Sequence, residues 1–296
     1  MIKKGVYAAG LSVLNQDLTL NIEKTIDHAE SLINKGLHGV FFFGSTGQSQ
    51  LISISEKKEL ISKLAVRKLR KQFFLGTGNN SLKDNIELIN YAREYQFQTF
   101  LIMPPAYYKG NSDKGVFNFY SSIIAQIPKV KIILYNFEKL SGYKFSAESV
   151  QNLVKSFPKN IIGCKDSGYN LYETLELPNF LIFPGSEAKL LKGLELGRAG
   201  CISAVTNVTH SLARQVFDDF EKKKEQTANK KLILIRETFD QYNLISALHS
   251  FMLREDDKFK NLLPPLTLLS SDKQKELLTK LEVLKFISNK EIAAQS

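Results

Sequence analysis

Ile161-Ile162-Gly163-Cys164-Lys165-Asp166-Ser167 is the stretch on which both the fold and the chemistry of this chain turn. A short apolar run bounded by turn-forming residues reads as a strand buried on both faces, as in parallel sheets. Lys165 stands near its carboxyl end. A lysine held there loses hydration, and desolvation disfavours the ammonium form. A neutral amine on a rigid strand is the group that condenses with a ketone to a Schiff base. Most lysines are solvated instead, so the reading depends on what surrounds Lys165.

Outward from this stretch, short apolar runs alternate with amphipathic ones. The pattern predicts strands at Val6–Leu14, Gly39–Phe43, Phe73–Thr77, Thr99–Met103, Lys131–Tyr135, Ile161–Lys165, Phe180–Phe183 and Cys201–Val205. Helices are predicted over Ile22–Lys35, Glu56–Leu69, Leu82–Tyr95, Lys114–Ile127, Ala147–Phe157, Ala188–Leu196 and Ser211–Lys224. Ser53 or Ser55 before Glu56, Ser81 before Asp84 and Ser146 before Glu148 supply capping chemistry. Eight strands, each followed by a helix, predict an α/β fold of the (β/α)8 (TIM) barrel type over residues 1–225. A doubly wound sheet alternates in the same way, but no G-x-G-x-x-G follows the first strand. From residue 226 the alternation stops. Lys230–Tyr242, Ile245–Arg254 and Lys273–Ile287 read as helices, with Pro264-Pro265 as a break. Residues 226–296 are expected to form a helical C-terminal extension, with no linker to make it a mobile unit.

The 296 residues are 43% hydrophobic and 24% charged, the balance of an ordered globular chain. Cys164 and Cys201 both lie in apolar runs, so no disulfide framework is expected and a cytoplasmic, reducing compartment fits. No apolar stretch reaches the ~18 residues of a membrane helix. Met1-Ile2-Lys3-Lys4 and the apolar run after it lack a small-residue cleavage site and read as a first strand, not a signal peptide. The net charge of +10 invites a nucleic-acid reading. The cations are scattered through helices, however, as in Glu56-Lys57-Lys58-Glu59 and Arg67-Lys68-Leu69-Arg70-Lys71. Such runs read as solvated faces. No nucleic-acid or membrane partner is expected, and a modest attraction for small acids is.

In such a barrel the chemistry gathers at the carboxyl ends of the strands. The second strand leads into Gly44-Ser45-Thr46-Gly47-Gln48, where backbone N–H groups and two hydroxyls can converge on a carboxylate. A glycine turn with local hydroxyl hydrogen bonds is the plain alternative. The fifth strand ends in Tyr135-Asn136, a phenol placed to relay protons across the mouth from Lys165. The fourth leads to Pro104-Pro105-Ala106-Tyr107-Tyr108, a tyrosine pair that packs locally, covers the site or reaches a second subunit. His28, His38, His210 and His249 do not pair at metal-ligand spacing, so no metal is expected.

Gly44-Ser45-Thr46-Gly47, Tyr135-Asn136 and Gly163-Cys164-Lys165-Asp166-Ser167, in this order, resemble the dihydrodipicolinate synthase / N-acetylneuraminate lyase family of class I pyruvate-dependent aldolases. The resemblance runs from Gly5 to about residue 225, and the C-terminal helices fit it too. It implies Lys165 as the lysine that forms an imine with pyruvate, with no separate cofactor. It implies Tyr135 as proton shuttle, and Ser45, Thr46 and Gly47 at the pyruvate carboxylate. Tyr108 corresponds to a tyrosine inserted from a partner subunit, and a homotetramer built as a dimer of dimers is the family's usual assembly. The sequence departs from the family at Gln48, at Ser12-Val13-Leu14 and at Glu138. Leu140 stands where synthases carry an arginine for the carboxylate of aspartate semialdehyde, and leucine makes no such bidentate contact. Gly185-Ser186-Glu187-Ala188 places Glu187 to accept hydrogen bonds from substrate hydroxyls. These residues favour a 2-keto-3-deoxy sugar acid, cleaved to pyruvate and an aldehyde or made from them. A dihydrodipicolinate synthase, an N-acetylneuraminate lyase and a non-enzymatic small-acid-binding barrel are the alternatives.

Overall fold

In the computed structural model the described residues are 2–288. Eight strands alternate with helices from Gly5 to Ser203: β1 (Gly5–Ala9), β2 (Gly39–Phe42), β3 (Phe73–Gly76), β4 (Thr99–Ile102), β5 (Lys131–Asn136), β6 (Ile161–Asp166), β7 (Leu181–Pro184) and β8 (Gly200–Ser203). All pair in parallel, in the order β7-β6-β5-β4-β3-β2-β1-β8. Ala199 N donates to Ile182 O at 2.8 Å across the remaining gap, so the sheet is a nearly closed (β/α)8 barrel. Gly200, at φ +115°, permits the last turn into β8, because a Cβ there would meet Gly5 O at 1.9 Å.

The helices are α1 (Ile22–Asn34), α2 (Ile54–Ala65), α3 (Leu82–Glu94), α4 (Asp113–Gln126), a single turn α5 (Glu138–Ser141), α6 (Ala147–Ser156), α7 (Leu190–Glu195) and α8 (Thr206–Glu221). The predicted caps form: Ser53 and Glu56 close a capping box on α2, and Ser81 and Ser146 accept from the first turns of α3 and α6. Three expectations need correction. α8 begins at Thr206, not Ser211, and its first residue is tied to β1, Thr206 Oγ1 donating to Tyr7 O at 3.1 Å. β1 ends at Ala9, not Leu14, because Gly10–Leu14 leaves the barrel to pack under the C-terminal helices. No helix joins β6 to β7, where residues 167–180 form turns around the Asp166 carboxylate.

Strand alternation divides the core. Tyr7, Phe41, Phe74, Leu101, Ile133, Phe183 and Ile202 fill the barrel interior. Their neighbours Val6, Val40, Phe73, Phe100, Ile132 and Ile182 face the helices. Three further helices follow: α9 (Asn229–Asp240), α10 (Leu244–Met252) and α11 (Ser271–Val283). Leu11 and Val13, beyond the end of β1, and Val205 and Val208, at the start of α8, share one apolar cluster with Ile235, Phe239, Leu248, Phe251 and Leu281. Residues 289–296 of the expected extension lie outside the described residues.

Candidate active site

The parallel register sets Tyr135 on β5 directly beside Lys165 on β6. The phenol stands next to the amine, on the neighbouring strand, rather than across the mouth. Both side chains point inward, two residues beyond Ile133 and Gly163, in the layer above the aromatic floor. Lys165 Nζ donates to Tyr135 OH at 3.3 Å and lies 4.3 Å from the ring centroid. Tyr135 OH lies 3.0 Å from Ser45 Oγ, so amine, phenol and hydroxyl form one chain. Lys165 is 3% exposed and Tyr135 5%, which holds this chain out of bulk water while its end faces the barrel mouth.

The next residue on each strand points the other way and fixes the frame. Asn136 Nδ2 donates to Asp166 Oδ1 at 2.7 Å, and Asp166 also accepts from the N–H groups of Tyr169, Leu171 and Tyr172. A buried carboxylate satisfied by four donors pins the β6–β7 turn and leaves Lys165 little freedom to shift. Asn136 Oδ1 accepts from Phe145 N, which ties down the α5–α6 connection as well. These two positioning residues lie within the motifs that the sequence presented, but only the strand register shows what they do.

Ser45, Thr46 and Gly47 form a single 3-10 turn after β2. Among the described residues, the N–H groups of Ser45 and Thr46 and the hydroxyl of Thr46 find no acceptor within the protein. They form a cluster of open donors beside the Ser45–Tyr135 contact. Two departures from the family pattern brace this turn. Ser12 Oγ donates to Gly47 O at 2.7 Å, and Gln48 Oε1 accepts from Leu263 N at 2.8 Å, tying the turn to the C-terminal region. Gln48 takes the left-handed conformation, φ +55°, which turns the chain from the 3-10 turn toward α2.

A cavity of about 130 Å³ opens beside this turn, lined by Phe43, Ser45, Thr77, Asn79, Tyr135 and Leu140 among others, none of them charged. Leu140 lies on the wall of this cavity. The loop Thr77–Asn79 is held from behind by Lys57 of α2, whose Nζ donates to Thr77 O at 3.0 Å, Gly78 O at 3.1 Å and Asn79 Oδ1 at 2.6 Å. Lys57 is fully buried, and desolvation lowers its pKa to about 8. Lys57 is therefore not part of the solvated face that its charged neighbours suggest. Its spacing to Leu60, Ile61 and Leu64, the buried face of α2, was the available signal.

Glu187 is not where substrate would meet it. It is fully buried, accepting from Ser203 Oγ and from Thr209 Oγ1 at 3.0 Å, and paired with Arg236 of α9 at 3.2 Å. Both carboxylate oxygens are taken by protein donors, so Glu187 joins the extension to the barrel. Gly185 approaches Ser167 so closely that a Cβ would sit 2.0 Å from its hydroxyl oxygen, which makes it a packing glycine of the β6–β7 pair. Tyr107 and Tyr108 are 81% and 75% exposed and stack edge to face on each other; neither reaches Lys165 within the chain. Cys164 and Cys201 are free and buried.

The Dihydrodipicolinate synthetase family model matches residues 3–284. The N-acetylneuraminate lyase of Haemophilus influenzae is 30% identical over 224 residues, 73% of this chain and 74% of the lyase. Dihydrodipicolinate synthase from Agrobacterium tumefaciens superposes with a TM-score of 0.87 at 24% identity, covering 95% of this chain and 99% of the synthase. A variant of Sulfolobus solfataricus 2-keto-3-deoxygluconate aldolase gives 0.83 at 21% identity, covering 95% and 96% of the two chains.

Proposed function

This chain belongs to the dihydrodipicolinate synthetase family of pyruvate-dependent lyases and aldolases, and we propose that it forms and cleaves a 2-keto-3-deoxy sugar acid through an imine on Lys165. The observation that carries the reading is the unbroken contact chain from Lys165 Nζ through Tyr135 OH to Ser45 Oγ, sunk at the barrel mouth. Lys165 Nζ adds to the C2 carbonyl of pyruvate. Tyr135 supplies the proton with which the carbinolamine oxygen departs as water, leaving the iminium. Tyr135, left as phenolate, takes a C3 proton to give the enamine; C3 then attacks the aldehyde carbon, whose oxygen takes that proton back and becomes a hydroxyl. Cleavage runs the same steps backwards: the C3–C4 bond breaks, its electron pair enters the iminium as the enamine, and the aldehyde leaves. The open N–H groups of Ser45 and Thr46, with the Thr46 hydroxyl, take the pyruvate carboxylate.

The aldehyde end belongs in the 130 Å³ cavity, which has room for roughly four waters at about 30 Å³ each. A three-carbon hydroxyaldehyde is of that size. The lining holds no cation and Leu140 stands on the wall, so a second carboxylate finds no charged partner within the lining; Lys109, whose Nζ donates to Leu140 O at 3.4 Å, lies outside it. Hydroxyl groups meet Ser49, Gln50 and Thr77 there, in place of the sequestered Glu187. The exposed Tyr107–Tyr108 pair at the mouth suits contact with a second subunit in a homotetramer.

A side-by-side assay separates the readings. Cleavage of 2-keto-3-deoxygluconate is expected to show a higher kcat/KM than cleavage of N-acetylneuraminate or condensation of pyruvate with aspartate semialdehyde. A highest value for aspartate semialdehyde would replace the sugar-acid reading with the synthase.

A further inference from the structure

The end of the barrel opposite the candidate active site holds a second, larger basin of about 650 Å³. Its walls come from the segments that enter the strands: Lys3 and Lys4 before β1, Arg70 and Lys71 before β3, residues 96–98 before β4, and Lys131 opening β5. The five cations come from three segments far apart in sequence, and only the barrel gathers them. Among the described residues no carboxylate lines the basin, and none of the five makes an ion pair. Arg70 donates to Tyr95 O and Gln96 Oε1 and lies over the Phe97 ring; Lys131 donates to Lys159 O. The ammonium groups of Lys3, Lys4 and Lys71 donate to nothing in the described chain. Like charges gathered without counter-charge repel one another, and a concave wall concentrates their field on whatever anion enters.

We infer that this basin is a binding site for a small polyanion that carries at least two phosphate groups. Five cations suit a ligand of several negative charges better than a single carboxylate. Gln72, Gln96 and Gln98 add amide donors to the same wall. A volume of 650 Å³ lies in the range of small-molecule pockets. Single-stranded nucleic acid is disfavoured, because Phe73, Phe74 and Phe97 are buried and offer no platform for stacking bases. The basin lies at the amino ends of the strands, so pyruvate chemistry at Lys165 does not depend on it.

Titration calorimetry of the full-length protein with inorganic pyrophosphate, at physiological salt, tests the inference. One saturable site is expected, with orthophosphate at least tenfold weaker. The double variant Lys4→Glu, Lys71→Glu is expected to weaken pyrophosphate at least tenfold while pyruvate trapping at Lys165 is unchanged. The control Lys222→Glu, Lys224→Glu changes the net charge equally at the end of α8 and is expected to bind as the parent does. Absence of saturable binding, equal losses in both double variants, or unaltered affinity in Lys4→Glu, Lys71→Glu would each overturn the site. Tighter binding of a single-stranded oligonucleotide, lost in that same variant, would reassign the basin to nucleic acid.

Discussion

At the scale of single residues, the contacts of Tyr135 define its expected role. It accepts from the lysine and touches Ser45, so protons can pass through it between amine and mouth. Tyr135→Phe removes the hydroxyl and keeps the ring against Lys165. Turnover is expected to fall by about two to four orders of magnitude, the range of a positioned acid–base group, with an unchanged thermal midpoint; an unaltered kcat would mean that another hydroxyl moves the proton. Lys165, Tyr135 and the Ser45 turn were legible because each sits at a strand end, where residue type and position speak together. Glu187 was misread for a physical reason. Its strand-end position was right, but its partners come from β8, α8 and α9, and no local pattern reveals that three donors converge on it.

At the scale of elements, the 3-10 turn at Ser45–Gly47 works only if its backbone stays fixed. Ser12 and Gln48 fix it through bonds that span 35 and 215 positions of sequence, contacts that no motif could announce. Thr46→Val keeps the shape and deletes one hydroxyl donor. It is expected to raise the KM for pyruvate several-fold, equivalent to about 1 kcal/mol, while kcat changes little; steady-state kinetics at saturating aldehyde read this out. A KM that stays put would move the carboxylate away from this turn. Most helices and strands were legible from their periodicity and caps. The missing helix between β6 and β7 was not, because the order of residues 167–180 comes from the Asp166 carboxylate rather than from helical repetition.

At the scale of the molecule, barrel and C-terminal helices share one apolar cluster, and two histidines report on it. His28, bonded to Asn207, and His249, bonded to Phe259 O, flank the Phe259 ring. Burial lowers each pKa to about 4. An unfolded histidine titrates at about 6.5, so the unfolded chain binds more protons between pH 6.5 and 4. Stability is therefore expected to fall as pH drops through that window, by up to about 3 kcal/mol for each group. Urea midpoints measured from pH 7 to 4.5 check this, and His28→Asn should flatten part of the slope. The barrel was legible from alternation alone, whereas the basic basin was not, since its five cations meet only when the strands close. The central claim concerns one amine in the whole chain. Incubation with pyruvate, reduction with borohydride and peptide mass mapping should place a single pyruvate-derived group on Lys165, absent in Lys165→Ala and in Lys165→Arg, whose guanidinium offers no free amine. An adduct on any other lysine, or one that persists in Lys165→Ala, would contradict the account.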